Sequence, residues 1–396
     1  MTEPPQKLET RLAHAGRDPE AFAGAVNVPP FRASTILFPT LDAFEAHDPA
    51  FRGVRYGRVG TPSSHAFEEA MAELEGGFRA VAFGSGLAAV TVSILAFSGS
   101  GGHILVSDSA YGPTREFCTR ELGRFGIETE FYDPRAGAGI AALIRPDTRL
   151  VFVETPGSLT FEVPDLPAVA AAAKAKGVPV LVDNTWGAGV FHKPLALGAD
   201  VSIQSATKYA GGHADASLGV AVCTEETFRR VKMTAVSMGQ SAGADELFLG
   251  LRGLRTLPHR LRRHQETGLA LARWLEARPE VARVIHPALP GHPDHALWRR
   301  DFTGACGLFS AELKPVPRAA LAAMLDGLEL FGMGYSWGGF ESLVMPADPA
   351  RIRTAAPWKG AGGTLLRFHA GLEDADDLIR DLARGFDRLN AAPSQP

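Results

Sequence analysis

Short apolar segments alternate with segments of helical length between residues 61 and 255, and this pattern is the strongest constraint on the fold. The apolar segments end at turn residues and lie at 80–83, 103–106, 150–154, 178–183 and 201–203. Helical spacing of apolar residues occurs at 63–74, 87–95 and 166–176, and Gly177 stands where the last helix should stop. Such alternation is typical of an α/β fold with a mostly parallel sheet that helices cover on both faces.

The flanking segments have different patterns, and we expect three regions in the chain. Residues 1–60 are poorly periodic but too apolar for a free tail, so we expect an N-terminal arm that packs on a neighbouring subunit. Residues 61–256 should form the α/β domain. Residues 257–396 predict a smaller α+β C-terminal domain, with helices at 257–278 and 374–389 and strands at 302–313 and 363–369.

Composition excludes several classes of protein. With 396 residues, 45% hydrophobic and 21% charged, the chain has globular proportions. Its net charge of −4 does not favour nucleic-acid binding, which needs clustered basic residues. The sequence has neither an apolar run long enough for a membrane span nor the apolar core of a signal peptide. We therefore expect a cytoplasmic protein with three reduced cysteines and, since no cluster has metal-ligand spacing, no metal site.

Three local patterns carry chemistry. Asp183 ends an apolar strand, and ligands of parallel sheets bind beyond the carboxyl ends of the strands. Lys208 lies between hydroxyl residues and a glycine-rich turn, where burial and nearby cations would free its amine to form a Schiff base. Residues 80–87 predict a strand, a glycine turn and a helix start, whose free N–H groups suit a phosphate.

Each pattern alone has a simpler interpretation. Asp183 could cap the turn that follows it, Lys208 could be a surface lysine, and residues 84–86 could form an ordinary tight turn. Together they supply what a pyridoxal 5'-phosphate (PLP) enzyme needs: a lysine for the aldehyde, an acid for the pyridine nitrogen and a phosphate site. The chain has neither a Walker A loop nor a Gly-x-Gly-x-x-Gly motif, which disfavours a nucleotide or dinucleotide cofactor.

Several longer motifs resemble the PLP-dependent enzymes of cysteine and methionine metabolism, the trans-sulfuration family. These motifs lie at 56–62 (YGRVGTP), 205–209 (SATKY), 252–257 (RGLRTL) and 341–343 (ESL). The resemblance extends from about residue 56 to residue 389. Within the family the chain is most similar to the bacterial cystathionine β-lyase branch, at 183–186 (DNTW), 286–291 (HPALPG), 300–304 (RDFTG) and 335–339 (YSWGG).

This resemblance implies a fold, an activity and an assembly. The fold is the aspartate-aminotransferase-like fold type I of PLP-dependent transferases, with residues 61–256 as the PLP-binding domain. The activity is carbon–sulfur β-elimination from L-cystathionine, which yields homocysteine for methionine biosynthesis together with pyruvate and ammonia. A cysteine desulfhydrase activity could accompany it. The assembly is a homotetramer, a dimer of dimers whose active sites are shared across the dimer interface.

The resemblance also implies a role for each residue of the site. Lys208 would hold the cofactor aldehyde and move protons, Asp183 would pair with the pyridine nitrogen, and Tyr111 would stack on the ring. The phosphate would be bound by Gly86, Leu87, Ser205 and Thr207, and by Tyr56 and Arg58 of the neighbouring subunit. The substrate would be bound by Arg367, which clamps its α-carboxylate, and by Ser336, Trp337 and Tyr56.

Three of these assignments have open alternatives. Tyr111 could be a core tyrosine with a satisfied hydroxyl, and Arg58 could be a surface arginine. Arg367 lies in an apolar strand, where a buried arginine needs an anion, so a structural salt bridge is the alternative there.

Trp337 favours β-chemistry over γ-chemistry, because enzymes with γ-activity in this family usually have a smaller aliphatic residue after the serine. A tryptophan would narrow the site. The alternatives are a cystathionine or methionine γ-lyase, a γ-synthase and, more remotely, a PLP-binding regulatory protein without turnover. The chain departs from the family pattern at Val236, where related enzymes can carry a tyrosine, so the distal part of the substrate pocket is left undefined.

Overall fold

Two β-sheets and the helices packed around them make up the part of the chain that the computed structural model describes, residues 6–46, 48 and 51–392. Residues 1–5, 47, 49 and 50 of the predicted arm lie outside the described residues, as do 393–396 of the predicted C-terminal region. None of the described helices is both long enough and apolar enough to cross a membrane.

The first sheet contains the predicted alternating segments. Its strands are β1 (Arg79–Phe83), β2 (His103–Ser107), β3 (Glu128–Tyr132), β4 (Thr148–Glu154), β5 (Val180–Asp183), β6 (Val201–Gln204) and β7 (Gly219–Cys223). Their order is β1-β7-β6-β5-β4-β2-β3, and the pairs from β3 across to β6 are all parallel. β7 runs antiparallel to both of its neighbours, β1 and β6. The predicted mostly parallel sheet is therefore confirmed, with one reversed strand.

Helices cover both faces of this sheet, because its strands present apolar side chains in both directions. In β1, Ala82 joins a buried cluster with Phe67 on one face, while Phe83 joins a second cluster with Ile94 on the other. The helices of this part of the chain are α1 (Leu8–His14), α2 (Leu41–Glu45), α3 (Pro62–Glu75), α4 (Gly86–Phe97), α5 (Gly112–Glu116), α6 (Leu122–Arg124), α7 (Leu166–Lys174), α8 (Glu225–Ser237) and α9 (Ala244–Leu254).

The second sheet is smaller and mostly antiparallel. Its strands are β8 (Val281–Ile285), β9 (Leu308–Leu313), β10 (Phe331–Gly332), β11 (Ser342–Ala347) and β12 (Leu365–His369), in the order β10-β11-β12-β9-β8. The helices of this part are α10 (Leu257–Glu276), α11 (His295–Asp301), α12 (Arg318–Asp326) and α13 (Ala375–Ala391). β12 lies at the centre of the sheet and pairs with β11 and β9. This pairing on both sides fixes the position of the strand.

The prediction of a strand at 302–313 is wrong in its first half, since the six residues before β9 are not strand. Two of their amides are bound by side chains from distant parts of the chain. The N–H of Ala305 donates to Gln265 Oε1 at 2.7 Å, and the N–H of Gly307 donates to the Tyr209 hydroxyl at 3.1 Å. An apolar pattern predicts a buried segment but not which groups satisfy its backbone, so it could not separate this segment from a strand.

Candidate active site

A cavity of about 230 Å³ lies at the carboxyl ends of β4, β5 and β6, and residues from both sheets line it. Ligand sites of α/β proteins typically lie at this edge of the sheet. Nine of the twelve predicted site residues line the cavity: Gly86, Leu87, Tyr111, Asp183, Ser205, Lys208, Ser336, Trp337 and Arg367. The fold thus brings together residues that are up to 281 positions apart in the sequence.

Lys208 lies on the loop after β6 and directs its amine towards the second sheet. Its Nζ donates to Ser336 Oγ at 2.5 Å and lies 5.5 Å from the centre of the Trp337 ring. Burial, reinforced by the positive charge of Arg367, lowers the pKa of Lys208 to about 8, against a smaller opposing effect of Asp183. A substantial fraction of this amine is therefore neutral, and nucleophilic, at mildly alkaline pH.

Asp183 is a buried carboxylate at the end of β5. Both hydrogen bonds that it accepts from described residues reach Oδ1, from the N–H of Thr185 at 3.0 Å and from the Thr185 hydroxyl at 2.6 Å. Burial raises the pKa of Asp183, while the Thr185 bonds and Lys208 oppose the rise. A cationic ring nitrogen in the cavity would compensate the cost of burying this charge.

A hydrogen bond joins Tyr111 and Glu154 at the same edge of the first sheet. The Tyr111 backbone N–H donates to Glu154 Oε2 at 2.6 Å, and both residues line the cavity. Glu154 is the register partner of Asp183 in the neighbouring strand. Burial, and next the charge of Asp183, raise the pKa of Glu154 well above its ordinary value. Tyr111 is also the residue immediately before α5, and its ring is half-exposed on the cavity side.

The start of α4 forms a cradle of backbone N–H groups. Ser85 caps this helix of 12 residues by accepting from the N–H of Ala88, so the N–H groups of Gly86 and Leu87 are in the first turn without acceptors from the helix itself. A Cβ at position 86 would lie 2.4 Å from both Cβ and Oγ of Ser205. Only glycine allows this close approach, which places a hydroxyl beside the helix N-terminus, a suitable arrangement for an anion.

Two parts of the chain close the cavity from the side of the second sheet. They are Arg367 and the segment 335–339, and we name this segment the strap. Arg367 Nη2 donates to the Ser336 carbonyl at 2.8 Å, while its buried Nε has no partner among the described residues. Ser336 has a φ of +79°, an uncommon value for a residue with a side chain. Burial lowers the pKa of Arg367 to about 10, which still leaves it cationic at neutral pH. The unpaired Nε marks a place for an anionic ligand.

The three remaining predicted residues do not line this cavity. Tyr56 and Arg58 line a separate cavity of about 420 Å³, together with Val236, whose carbonyl accepts from Arg58 Nη1 at 2.6 Å. Thr207 Oγ1 donates to the Leu218 carbonyl at 3.1 Å and accepts from the Leu218 N–H at 2.9 Å.

Sequence reasoning missed several residues that line the cavity, among them Glu154, Thr185, Trp186 and Tyr335. Glu154 carries the same signal as Asp183, an acidic residue at the end of an apolar strand, and could have been found by it. Thr185 and Trp186 directly follow Asp183. Tyr335 is 89% exposed, and exposure of an aromatic side chain cannot be inferred from a sequence pattern.

These observations fit a bound PLP group. A partly buried amine, a buried carboxylate and a helix N-terminus surround one cavity, and they match an aldehyde, a pyridine nitrogen and a phosphate in charge and chemistry. Two further features suit a bound anion. They are the close approach of Gly86 to Ser205, which brings a hydroxyl to the helix N-terminus, and the Nε of Arg367, which has no partner among the described residues.

Comparison with known proteins identifies the family. The profile described as "Cys/Met metabolism PLP-dependent enzyme" matches residues 9–387. The chain is 47% identical to the cystathionine beta-lyase MetC of Escherichia coli K12, over 97% of this chain and 99% of the relative. It is 46% identical to the cystathionine beta-lyase of Salmonella typhimurium, over 97% and 99%. The solved structure of metB from Corynebacterium glutamicum matches with a TM-score of 0.89 at 29% identity, covering 97% of this chain and 98% of that one. The chain therefore belongs to the PLP-dependent enzymes of cysteine and methionine metabolism and has their fold.

Proposed function

We propose that this protein is a PLP-dependent carbon–sulfur lyase that cleaves L-cystathionine at its β-carbon, giving homocysteine, pyruvate and ammonia. The observation that carries the proposal is the position of Trp337, which lies with Lys208 and Arg367 in one small cavity. A bulky ring there favours a substrate that reacts at the β-carbon. The names of the relatives at 46–47% identity support the same reaction.

Lys208, Asp183 and Tyr111 would hold the cofactor ring. PLP, when bound, supplies an electron sink for the carbanion that forms at the α-carbon of an amino acid. Lys208 would bind the aldehyde and then move the α-proton, a task that suits an amine with a pKa of about 8. Asp183 would stay ionised opposite the pyridine nitrogen, and Tyr111 would pack on the ring face.

The phosphate would lie at the start of α4. Gly86 and Leu87 would donate their N–H groups and Ser205 its hydroxyl, since all three line the cavity beside one another. The hydroxyl of Thr207, which is bonded to Leu218, would have to give up its bond to the Leu218 carbonyl to join them.

Arg367 would bind the α-carboxylate of the substrate. Its unpaired Nε and its Nη2 lie on one edge of a guanidinium, the edge that pairs with both oxygens of a carboxylate. Ser336 and the backbone at Trp337 would bind the same carboxylate, and Trp337 would limit the length of the substrate beyond it.

The arm would complete the site of a second copy. Tyr56 and Arg58 lie in a different cavity from Lys208 of their own chain, and Tyr56 is 46% exposed. We propose that they reach the phosphate and substrate of a neighbouring subunit, in a homotetramer built from two such dimers. In this scheme 1–60 is the arm, 61–256 the PLP-binding domain and 257–396 the C-terminal domain.

We place this enzyme in the cytoplasm, where its product homocysteine would serve methionine biosynthesis. The three cysteines, Cys118, Cys223 and Cys306, are all buried and unpaired by disulfides. This state is the usual one in a reducing compartment.

Product analysis tests the reaction. The cofactor-loaded protein is incubated with L-cystathionine, and the keto acid and the thiol are identified, with Lys208→Ala as the inactive control. Pyruvate with homocysteine is the expected result. 2-Oxobutyrate with cysteine would instead assign γ-elimination and refute the interpretation of Trp337. Pyruvate and sulfide from L-cysteine would measure the accompanying desulfhydrase activity.

A further inference from the structure

The strap is held in an unusual conformation by contacts with the second sheet. Ser336 and Gly338 have φ values of +79° and +88°. A Cβ at Gly338 would lie 3.0 Å from Cα, Cβ and the carbonyl carbon of Lys208, so the strap passes directly over the backbone of this lysine. A contact that holds Gly338 therefore also helps to hold the neighbouring Ser336 close to Lys208.

His369 supplies such a contact. It lies two residues after Arg367 on β12, so both side chains are on the same face of the strand. The ring is 1% exposed, and its Nε2 lies 3.1 Å from the backbone nitrogen of Gly338 and 3.2 Å from the carbonyl oxygen of Gly339. The N–H can only donate and the carbonyl can only accept, so Nε2 serves one of the two: it accepts from Gly338 when the ring proton is on Nδ1, and donates to Gly339 when the proton is on Nε2.

The neighbouring ring of His264 favours the tautomer in which His369 carries its proton on Nδ1 and accepts at Nε2. His264 Nδ1 lies 2.8 Å from the Ala370 carbonyl, which only accepts, so His264 carries its proton on Nδ1 and has a lone pair on Nε2. His264 Nε2 and His369 Nδ1 are both buried and have no other partner among the described residues. The ring centres are 5.2 Å apart, so an acceptor and a donor that each need a partner are on adjacent rings.

Burial keeps both rings neutral. It is the main cause that lowers the pKa of His369 to about 3 and that of His264 to about 4. A neutral ring is required, because a protonated His369 would have no lone pair for Gly338.

The ring of Tyr209, the residue after Lys208, lies 5.4 Å from the Trp337 ring and 6.0 Å from that of His369.

We propose that His369 is a positioning residue: its Nε2 accepts the N–H of Gly338 and thereby fixes the strap, with Ser336 and Trp337, over Lys208. The importance of this position for specificity rests on the proposed function, since Trp337 limits the substrate there. The contact itself is a property of the folded chain.

Two variants of similar size separate the acceptor from the volume of the ring. His369→Leu fills the space but cannot accept a hydrogen bond, whereas His369→Gln offers an acceptor near the position of Nε2. Hydrogen–deuterium exchange is measured on the cofactor-free protein. We expect exchange in a peptide covering residues 333–341 to be about tenfold faster in His369→Leu, because a buried N–H has lost its partner, and to return towards the wild-type rate in His369→Gln.

Activity provides the second readout. We expect kcat/KM for L-cystathionine to fall about tenfold in His369→Leu and to be restored to within about threefold in His369→Gln. His286→Leu is the matched control: His286 is also fully buried and accepts a backbone N–H, from Ala288 at 3.1 Å, but it does not contact the strap. Its effect on exchange at 333–341 should be small.

Wild-type exchange at 333–341 in His369→Leu, or no recovery in His369→Gln, would overturn the proposal. Neutron diffraction of the wild-type protein tests it without any variant. We expect the ring hydrogen of His369 on Nδ1, and a hydrogen on Nε2 would refute the acceptor role. If product analysis assigns another reaction, the exchange result still decides the role of His369.

Discussion

Arg367 and Lys208 are two cationic side chains in one small cavity, and each affects the other. The positive charge of Arg367 makes protonation of Lys208 less favourable, which contributes to a pKa of about 8. Removal of that charge should therefore raise the pKa. We expect Arg367→Met to shift the pKa of Lys208 upwards from about 8 towards the ordinary value of a lysine, about 10.4.

The pKa can be measured in the cofactor-free protein from the pH dependence of the rate at which Lys208 reacts with an amine-specific reagent. Arg300→Met is a suitable control, because Arg300 pairs with Asp165 and Asp301 and does not line the cavity. An unchanged or lower pKa in Arg367→Met would show that the charge of Arg367 does not contribute to the lowered pKa of this amine.

At the residue scale, the sequence singled out most of the candidate site residues that share the cavity but little of their environment. The acid at the end of a strand and the lysine after a strand were recognisable, because these positions have a fixed direction in an α/β sheet. Glu154 was missed although it has the same position in its strand. The bonds of Thr207 to Leu218 could not have been inferred, since they depend on the return of β7 to the same edge.

In the proposed function, phosphate binding depends on the start of α4. Gly86→Ala would bring a Cβ to within 2.4 Å of Ser205 and so force the helix N-terminus away from the hydroxyl. We expect the affinity for PLP to fall about tenfold or more, because the donors would no longer converge. The dissociation constant is measured by titration of the cofactor-free protein.

Gly84→Ala is the control for this prediction. A Cβ at Gly84 would lie no closer than 3.7 Å to any neighbour, which is ordinary contact. This variant should bind PLP like the wild type. Wild-type affinity in Gly86→Ala would mean that the cradle is not the phosphate site.

A second element-scale contact joins β2 to the segment between β11 and β12. Asp108, which follows β2, is fully buried and accepts from Arg115 Nη1 at 2.8 Å and from the N–H groups of Thr354, Ala355 and Ala356 at 2.8–3.1 Å. Burial would raise the pKa of Asp108, but the N–H groups and Arg115 together outweigh it, so the pKa is lowered.

A lowered pKa means that this contact stabilises the fold above the ordinary carboxyl pKa of about 4 and that the stabilisation is lost as the pH falls through the lower pKa of the folded state. We expect Asp108→Asn to reduce the free energy of unfolding by about 3 kcal/mol at pH 7. The difference from the wild type should shrink below pH ~4.

Urea denaturation at several pH values provides the measurement. Asp377→Asn is the control, since Asp377 is exposed and pairs with Arg380 on the same helix, and it should cost at most about 0.5 kcal/mol. A difference between Asp108→Asn and the wild type that is the same at pH 3 and pH 7 would contradict an electrostatic origin.

Elements with regular local patterns were predictable, and elements held by distant contacts were not. The strand ending at Asp183 and the helix that stops before Gly177, whose φ is +70°, follow from apolar spacing and from the conformational freedom of glycine. The segment before β9 was misassigned because its amides are bound by Gln265 and Tyr209. No sequence pattern identifies such partners.

At the scale of the whole molecule, the arm exposes apolar side chains. Leu37, Leu41 and Phe44 are 88%, 68% and 62% exposed, which is costly for an isolated chain and favours a second copy as their cover. The mostly parallel sheet and the α+β C-terminal region were predictable from the sequence pattern. The side chains that an arm contacts on another copy were not, because they belong to no local pattern.

Subunit exchange tests whether two copies share a site. Lys208→Ala and Arg58→Ala are each expected to be nearly inactive. Mixing them under conditions that allow exchange should restore roughly a quarter of the wild-type activity, because half of the random dimers contain one intact site of two. Activity is measured as pyruvate release.

The control mixes Lys208→Ala with a chain that carries both substitutions, which cannot form an intact site and should stay inactive. If activity does not return in the first mixture while exchange is demonstrated by mass, each subunit works alone and the proposed role of Arg58 is wrong.

The reversed strand β7 has a consequence for synthesis of the chain on the ribosome. β1 is at the edge of its sheet and pairs with β7, so Arg79 lies opposite Cys223. At typical rates of translation, the interval between these two residues is on the order of ten seconds. During that interval the strand that leads into α4 lacks its partner, so we expect the start of α4 to reach its final position late and the unpaired strand to be a site prone to aggregation until then.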